Sequence, residues 1–550
     1  MRRQKYTPLF AFLLIALTLL LVAPGVTAQQ AGRRAAATEN ELASRAAIAV
    51  MQAGGNAVDG AVAAAFMAGV VSPQSSGIGG GGFALVWLAE AQRGYLLDFR
   101  ETAPQGVDAA AFERRPLGDA ERGKYVGVPG EVAGLFELHR AHGKRPWKDV
   151  VEPARSAAKL GFPLGKFLAS SLASQEKRLK VDATLASVFF PGGKPAVAGA
   201  RVQRPLLGAT LERIAAEGPK ALYEGPIAQD IVDTARAAGG ALTLEELRSY
   251  RPIERKPIEV SWEGYRVLTM PLPSAGGMMV AQTLRLFSKQ ELAKLGRESG
   301  AYQHLIAEAM RGSLADRMRH LGDGDHQKVD MDALVAEGRM AQRRKTIAID
   351  RTHALPRFGL EGQGTHHLVT MDEAGNMVSL TTTVNRSFGA KLVTKSGIVL
   401  NDELDDFTAQ KDVAPFALAQ SPNRPRPGAR PLSSMTPTIV LRDGKAVLGL
   451  GGSGGPTIAT NVTQLLLDNL VFGLSPAEAV KARRFYVPSS RATILLEDGA
   501  SEALKKDLAW RGEIVATMPF KSSAVQMIAV HQGRVLAASD PRKLGGAIVK

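Results

Sequence analysis

The spacing of hydrophobic residues predicts a chain that mixes helices with strands. Between residues 39 and 73, apolar side chains recur at helical spacing with a break at 54–56, so two apolar helices are expected there. Residues 128–250 repeat an apolar face that is closed by glycine, and they are predicted to be largely helical. Residues 257–325 begin with a strand, and 301–323 are expected to form a strongly amphipathic helix.

The clearest pair of strands is a tight hairpin within residues 364–389. Residues 368–371 form one β-rich run, a turn follows at 372–376, and a second β-rich run spans 377–384. Thr365 stands just before the first strand, where a threonine can be an ordinary strand residue. The hairpin is therefore a structural prediction first, and its chemistry needs further argument.

The residues in front of the hairpin are expected to be flexible. Residues 326–363 are polar and basic, and they end in a glycine-rich piece. A cleavable junction upstream of Thr365 needs such a segment. An interdomain linker is the alternative interpretation.

The N-terminus has the features of an export signal. Positive residues are followed by an apolar run at 10–22 and by small residues at 26–28, so residues 1–28 are predicted to be a cleaved signal peptide. The apolar run is short for a membrane span, which needs roughly 20 residues. Because residues 8–28 are mostly apolar, an uncleaved membrane anchor remains the alternative interpretation. A periplasmic or secreted location is expected.

Composition narrows the possible partners. The chain has 550 residues, 45% of them hydrophobic, and a formal net charge of +15. Lys and Arg are dispersed and no nucleic-acid-binding motif is present, so nucleic acid is not expected as a partner. The chain has no Cys, which excludes disulfides, Cys nucleophiles and thiolate metal sites.

Two glycine-rich or charged stretches could be structural only. The four glycines at 79–82 suggest close backbone approach or positive φ, and they lack the ending of a phosphate-binding loop. Residues 94–104 are predicted to form a strand that ends in a charged cluster of Asp98, Arg100 and Glu101. Such a cluster is most often a solvated rim, although arginine suits the capture of a carboxylate.

The remaining chemistry points to Thr365. The chain has no GxSxG or HExxH motif, and adjacent His366 and His367 on a strand point to opposite faces, so no metal and no cofactor are expected. If the Gly364–Thr365 bond is cut, the new α-amine, with a pKa near 8, can accept the proton of the Thr365 hydroxyl. Gly364 lacks a Cβ and can leave its carbonyl open to attack. On spacing alone this nucleophile remains one alternative beside an ordinary strand residue.

Many short motifs in order give a resemblance. From Ala36 to the C-terminus the sequence resembles the γ-glutamyltranspeptidase family through GGNAVDGAVAAAF, SSGIGGGGF, LDFRETAP, GVPG, MPLPSAGG, AEAMR…ADR, GTHHLVTMDEAGN, SGIVLNDELDDF, RPLSSMTPT, GGSGGP and SDPR. The resemblance implies an α+β Ntn-hydrolase fold, a four-layer αββα sandwich. It also implies a precursor that cuts itself into a large chain, residues 29–364, and a small chain, residues 365–550, which together form a heterodimer.

The resemblance assigns the site residue by residue. Thr365 is the nucleophile, Thr383 hydrogen-bonds it, and Arg100 holds the substrate α-carboxylate. The substrate α-amino group is assigned to Asn385, Glu403 and Asp406. Ser433 and Ser434 are assigned further hydrogen bonds to the α-carboxylate. The backbone amides of Gly454 and Gly455 are assigned to the oxyanion. The implied activity is exported hydrolysis or transfer of the γ-glutamyl group of glutathione and related compounds. It passes through a γ-glutamyl-Thr365 ester, with water, amino acids or peptides as acceptors.

Some positions depart from the family pattern. The usual Asn-Asn pair is Asn401-Asp402, which adds negative charge near the ammonium pocket. Residues 408–430, where some members carry a lid, are rich in Pro and Arg, and Phe416 falls near a lid aromatic. Two rival functions stay open. One is an amidase like the related cephalosporin acylases, and the other is an uncleaved, non-catalytic binding protein.

Overall fold

The computed structural model describes residues 34–353, 364–488, 492–520 and 522–550. The predicted signal peptide, residues 1–28, lies outside the described residues, and so do residues 354–363 of the predicted junction. Cleavage into residues 29–364 and 365–550 stays a prediction. The chain continues from Gly364 into Thr365, so the architecture is that of the uncut chain.

The strands of the described residues fall into four sheets. They are β1 (Ala35–Thr38), β2 (Gly81–Leu88), β3 (Arg93–Phe99), β4 (Phe162–Pro163), β5 (Arg201–Val202), β6 (Ile253–Arg255), β7 (Ile258–Trp262), β8 (Tyr265–Thr269), β9 (Thr365–Met371), β10 (Met377–Thr383), β11 (Thr438–Arg442), β12 (Lys445–Ser453), β13 (Phe485–Tyr486), β14 (Thr493–Leu496), β15 (Ile514–Thr517), β16 (Ala524–His531), β17 (Arg534–Ser539) and β18 (Gly546–Val549).

Helices connect most of these strands. They are α1 (Glu41–Gln52), α2 (Ala57–Val71), α3 (Ala109–Glu113), α4 (Glu131–His142), α5 (Trp147–Leu160), α6 (Lys166–Ser174), α7 (Glu176–Leu179), α8 (Ala183–Phe189), α9 (Pro205–Glu217), α10 (Lys220–Tyr223), α11 (Gly225–Ala237), α12 (Leu244–Ser249), α13 (Gly276–Leu286), α14 (Lys289–Leu295), α15 (Gly300–His320), α16 (Met331–Val335), α17 (Glu337–Thr346), α18 (Gln410–Val413), α19 (Thr457–Leu470), α20 (Pro476–Ala479) and α21 (Glu502–Trp510). Short 3₁₀ helices lie at Asp119–Tyr125, Pro191–Gly193, Glu403–Asp406 and Ala414–Phe416.

Two large sheets form the centre of the molecule. One has the strand order β18-β1-β9-β10-β2-β3-β6 and the other β17-β16-β12-β11-β8-β7. The predicted hairpin β9–β10 is antiparallel, and its register pairs Thr365 with Thr383. Alternation along β9 explains the stacking, because Val369 packs in the core shared with the other sheet while Leu368 packs in the core on the helical side.

Helices cover the outer face of each sheet, which completes an αββα sandwich as expected. Helix α2 is apolar on every side and buried along its whole length, because α1, α4 and α5 surround it against the seven-stranded sheet. Helices α13 and α19 pack on the six-stranded sheet, and α15 packs over α13. The two apolar helices predicted near the N-terminus are α1 and α2, separated by residues 53–56.

The prediction of a strongly amphipathic helix at residues 301–323 is wrong. Helix α15 is buried on nearly all sides. Most of its outer face meets further elements rather than water, and several of its charged groups form ion pairs within the protein. Asp316 binds Arg339 and Arg343 from α17, and Arg311 binds Glu513, the residue just before β15.

The prediction of a flexible segment is wrong for residues 331–346. These residues form α16 and α17, and the Met340 side chain is fully buried. The basic residues that suggested flexibility are anchors, because Arg339 and Arg343 both bind the buried Asp316. The polar composition of this segment therefore did not reveal that it forms two helices packed on the protein.

Among the residues that the structure describes, no helix is both long enough and apolar enough to cross a membrane.

Candidate active site

Thr365 lies at the first position of a central strand. Its side chain is buried, and Thr383 is its partner across the hairpin. The Thr383 hydroxyl donates a hydrogen bond to the carbonyl oxygen of Gly364 at 2.7 Å and accepts one from the Asn385 amide at 2.7 Å. The resemblance implies that Thr383 hydrogen-bonds the nucleophile, Thr365. In the uncut chain, the Thr383 hydroxyl instead binds the carbonyl oxygen of Gly364, the residue before Thr365.

Gly364 lies in a space that excludes a side chain. An added Cβ would lie 2.2 Å from the Asn385 carbonyl oxygen and 2.6 Å from the Arg386 carbonyl carbon. These are backbone atoms, so no rotamer change could relieve the contact. The glycine is required by close backbone approach.

The glycine run at 79–82 also fits close backbone approach. A Cβ on Gly80 would lie 1.9 Å from the Thr383 carbonyl oxygen, and one on Gly82 would lie 2.0 Å from that of Thr381. Of the two sequence-based explanations, close approach applies here and positive φ does not. The run lets β2 pair tightly beside the strand that carries Thr383.

One small cavity brings most of the predicted site together. Its lining comprises Arg100, Thr365, Thr383, Asn385, Glu403, Asp406, Ser433, Ser434, Met435, Gly455 and Ile458. Gly454 precedes Gly455 in the turn that leads from β12 into α19, and both have positive φ, 125° and 68°. Residues far apart in the chain therefore meet around the Thr365 side chain.

Arg100 and two acids form a buried ion-pair cluster. Arg100 Nη1 donates to Glu403, Nη2 donates to Asp406 Oδ2 at 2.7 Å, and Nε donates to the Pro431 carbonyl at 3.1 Å. The interpretation of Asp98, Arg100 and Glu101 as a solvated rim is wrong, since all three are at most 1% exposed. The arginine assigned to the α-carboxylate is held by two of the groups assigned to the α-amine.

Burial controls the protonation of this cluster. It raises the pKa of Glu403 well above the usual range, although Arg100 acts in the opposite direction. It also raises the pKa of the neighbouring Glu101 to about 8. Burial opposes the charge of Arg100, but Glu403 and Asp406 raise the pKa of its guanidinium above the ordinary value. The guanidinium therefore stays a cation, while burial disfavours the charged forms of the two glutamates.

The two serines are held by an arginine that sequence reasoning missed. Arg317 Nη1 donates to Ser434 Oγ at 2.9 Å and to the Ser433 carbonyl at 3.2 Å, while Ser433 Oγ accepts from the Met435 amide. Arg317 belongs to the AEAMR…ADR piece, which signalled the helix without signalling this contact. Helix α15 thereby positions one wall of the cavity.

Lys543 is a second residue that the sequence did not single out. Its Nζ donates to the Thr365 carbonyl at 2.6 Å, to Ser453 Oγ at 2.6 Å and to Glu39 Oε2 at 2.9 Å. Glu39 Oε1 in turn accepts from the His367 amide at 3.0 Å. The SDPR motif ends one residue before Lys543 and was the only local signal.

His366 and His367 are both buried in the strand. Burial lowers the pKa of His366 to about 4 and that of His367 well below the usual range. His367 Nδ1 lies 2.8 Å from Thr381 Oγ1. Both rings are therefore neutral at physiological pH.

A buried cluster outside the lining of this cavity has side chains of the types that bind metals. His304, Glu308 and Glu513 bring their ligand atoms within 4.8 Å of one another. Arg311 Nη1 already donates to Glu308 at 2.5 Å and to Glu513 at 2.9 Å, and His304 Nδ1 lies 2.8 Å from Glu513. A guanidinium thus supplies the positive charge that these carboxylates need.

Asp402 is buried beside the site. Its Oδ1 accepts from the Arg386 amide at 2.9 Å, and its carbonyl accepts from Asn385 Nδ2 at 3.0 Å. Burial raises the pKa of its carboxyl to about 6. The departure from Asn-Asn therefore introduces a titratable group directly behind a cavity residue.

Asn423 links the segment 408–430 to the residues on either side of it by hydrogen bonds. Asn423 Nδ2 donates to the Asp406 carbonyl at 2.8 Å, and Asn423 Oδ1 accepts from the Leu432 amide at 2.9 Å. Phe416 is buried in the main hydrophobic core, with the Arg319 guanidinium 5.7 Å from its ring centroid. This aromatic is a packing residue.

Two sheets enclosed by helical layers, with a threonine at the start of a central strand, define an Ntn-hydrolase. A family model described as Gamma-glutamyltranspeptidase matches residues 43–550. The chain belongs to the γ-glutamyltranspeptidase family of enzymes.

Known relatives extend over most of the chain. Glutathione hydrolase 2 of Arabidopsis thaliana is 37% identical and covers 93% of both chains. The glutathione hydrolase proenzyme of Pseudomonas aeruginosa is 36% identical and covers 94% of both. The cephalosporin acylase of Bacillus halodurans superimposes with a TM-score of 0.85 at 24% identity, over 98% of this chain and 99% of its own, and shows the shared fold alone.

Proposed function

We propose that this protein is an exported γ-glutamyl hydrolase and transferase that cuts itself between Gly364 and Thr365. The observation that carries the proposal is the single cavity in which Thr365 meets Arg100, Glu403 and Asp406. Glutathione and related γ-glutamyl amides are the proposed substrates, as the names of the relatives suggest. The apolar run at 10–22 supports export, with a cleaved signal favoured over an anchor.

The groups around the Gly364 carbonyl support self-cleavage. Thr365 Oγ attacks the Gly364 carbonyl carbon, the C–N bond breaks, and the hydroxyl proton passes to the Thr365 nitrogen. Thr383 supports this step because its hydroxyl already donates to the carbonyl oxygen that gains negative charge. The shift leaves the Thr365 nitrogen as a free α-amine, and water then hydrolyses the ester, which releases the Gly364 carboxylate and restores the Thr365 hydroxyl.

Turnover uses the same threonine as nucleophile. The α-amine takes the Thr365 hydroxyl proton, Oγ attacks the γ-carbonyl, and the leaving amine departs with that proton. Water or an acceptor amine then attacks the γ-glutamyl ester and releases glutamate or a new γ-glutamyl amide. The positive-φ turn at Gly454 and Gly455 supports the assignment of the oxyanion to these backbone amides.

The ion-pair cluster fits an amino-acid head group. Arg100 holds the two carboxylates of Glu403 and Asp406, and a zwitterion supplies one group for each side. The substrate ammonium replaces Arg100 as the partner of Glu403 and Asp406, and the α-carboxylate replaces the acids at Arg100, with Ser433 and Ser434 beside it. Charge pairing is therefore exchanged rather than lost.

Two substrates separate this proposal from the rival amidase. Initial rates should be measured on γ-glutamyl-p-nitroanilide and on glutaryl-cephalosporin. The glutaryl group lacks the α-amine, so it cannot exchange with Arg100 at the acids, and the first substrate should be strongly preferred. A preference for glutaryl-cephalosporin would reject the γ-glutamyl assignment.

A substitution at the cluster supplies the control for that measurement. Arg100→Met should lower kcat/KM on γ-glutamyl-p-nitroanilide by about tenfold or more, because the α-carboxylate loses its cationic partner, whereas Arg45→Met, which removes an exposed partner of Glu41, should leave it unchanged. An Arg100→Met enzyme that keeps wild-type kcat/KM on γ-glutamyl-p-nitroanilide would show that the α-carboxylate binds elsewhere.

A further inference from the structure

Lys543 joins three parts of the site that are distant in sequence. Its Nζ contacts the Thr365 carbonyl, the Ser453 hydroxyl just before Gly454, and the Glu39 carboxylate just after β1. The Lys543 side chain is 11% exposed and that of Glu39 is 3% exposed. A lysine with three short polar contacts in a nearly closed environment is held in one position.

We propose that Lys543 is a positioning residue for the reaction at Thr365, holding the nucleophile's backbone against the glycine turn and placing a fixed positive charge beside its nitrogen. This inference rests on the proposed function, because the nitrogen becomes an amine only after self-cleavage. The motifs that carry the family resemblance assign no role to Lys543.

The geometry places the charge close to the future amine. The nitrogen and carbonyl oxygen of one residue are about 3–3.6 Å apart, so Nζ, at 2.6 Å from the oxygen, lies within about 6 Å of the nitrogen. A like charge at that distance disfavours protonation. The amine is therefore kept neutral, and able to accept the hydroxyl proton, at a lower pH than a free α-amine.

The negative charge of Glu39 opposes the effect of Lys543 on the pKa of the amine and so limits how large that effect is. Its Oε2 pairs with Lys543, and its Oε1 holds the His367 amide. His366 already responds to both charges: burial is the main cause of its lowered pKa, Glu39 raises that pKa and Lys543 lowers it. The other charges that face Thr365 are Arg100, Glu403 and Asp406 across the cavity.

The contacts also support a geometric role. Thr365 must stay in place after it loses its covalent link to Gly364, and Lys543 keeps a hydrogen bond to its carbonyl throughout. The bond to Ser453 fixes the start of the glycine turn relative to the nucleophile. Distances between a nucleophile and oxyanion donors matter at the scale of about 1 Å.

Two substitutions that change the charge near the Thr365 amine in opposite directions test the proposal. The pH dependence of kcat/KM on γ-glutamyl-p-nitroanilide should be measured from pH 5 to 10 for Lys543→Met, Lys543→Arg, Glu39→Gln and wild type, because its acidic limb reports the free enzyme's base. Lys543→Met removes the repelling charge and should move the acidic limb up by about one pH unit. At a pH below both limbs, kcat/KM of Lys543→Met should therefore be about tenfold lower than that of wild type.

The second charge variant should move the limb the other way. Glu39→Gln leaves Lys543 unneutralised and should lower the limb by about one pH unit. Lys543→Arg keeps the charge and should follow wild type. Lys505→Met, which removes an exposed partner of Glu502 on α21, is the matched control.

The outcomes are distinguishable. Unmoved limbs in both charge variants, or an equal loss at every pH in Lys543→Met, would overturn the electrostatic role. If Lys543→Met remains uncut, Glu39→Gln decides, since it retains the lysine. A wild type that is not cut, or an active Thr365→Ala, would instead overturn the proposed function and this inference with it.

Discussion

The backbone around Gly364 leaves no room for a side chain. Gly364→Ala places a Cβ 2.2 Å from the Asn385 carbonyl oxygen, which forces the Gly364 carbonyl away from the Thr383 hydroxyl. Overpacking of this kind costs about 1–3 kcal/mol, so self-cleavage should slow about tenfold or more. A time course on a denaturing gel measures the rate.

Gly338 provides the matched control for that substitution. It lies in α17, and an added Cβ there would meet nothing within 4 Å, so Gly338→Ala should cleave at the wild-type rate. Equal rates for Gly364→Ala and Gly338→Ala would show that close packing at Gly364 does not govern cleavage.

Asp402 makes a pH-dependent contribution to stability. Burial raises the pKa of its carboxyl to about 6, above the unfolded value near 3.9, so the folded state prefers the protonated form. That preference stabilises fully below about pH 4 and is lost as pH rises through about 6. Asp402→Asn should therefore stabilise the protein at pH 7.5 by about 1–3 kcal/mol.

Melting temperatures at two pH values test this prediction. The advantage of Asp402→Asn should fade at pH 4, where the wild-type carboxyl is protonated. Asp443→Asn, at a turn residue whose side chain is 92% exposed, should give no such difference. An Asp402→Asn protein that is less stable than wild type at pH 7.5 would contradict the account.

Single residues differed in how well the sequence revealed them. Thr365, Arg100 and the acids lie in motifs, so their meeting in one cavity was predictable from the resemblance. Arg317 lies in a motif that signalled only its helix, and Lys543 follows a motif without belonging to it. Their contacts reach Ser434, 117 residues away, and Thr365, 178 residues away, so no local pattern could announce them.

At the scale of elements, one buried carboxylate docks a helix. Asp316 on α15 binds Arg339 and Arg343 of α17 at 2.7 and 2.6 Å. Asp316→Ala leaves both guanidinium groups without this partner and should cost about 2–3 kcal/mol. Amide hydrogen exchange in residues 331–346 should therefore accelerate.

The exposed Asp332 of α16 is the control for Asp316. Asp332→Ala should leave exchange in residues 331–346 unchanged. If Asp316→Ala exchanges at the wild-type rate in this segment, the ion pairs do not hold α17 in place.

Element prediction succeeded where a turn signal divides apolar runs. The hairpin and the α1–α2 pair were predictable because glycine-containing breaks at 372–376 and 54–56 separate their apolar stretches. Helix α15 and residues 331–346 were misread because polar residues there pair with one another instead of with water. Periodicity cannot distinguish a solvated charge from a paired one.

At the scale of the whole molecule, the two predicted chains share both sheets. In the seven-stranded sheet β1, from residues 29–364, lies between β18 and β9, and β10 pairs with β2. In the six-stranded sheet β11 pairs with β8. The layered architecture came from the resemblance, since strand order is not written in local sequence.

This interleaving predicts that cutting the chain does not separate its parts. The cut protein should elute from gel filtration as one species that contains both chains, and the chains should part only in denaturant. Separation with folded structure retained would contradict the shared sheets.

The central claim is that Thr365 becomes a chain terminus and acts as the nucleophile. N-terminal sequencing of the smaller band of purified wild-type protein tests it most directly. The account predicts a start at Thr-His-His, and a single uncut band for Thr365→Ala. A smaller chain that begins at any other residue, or a fully active protein with no cut, would contradict it.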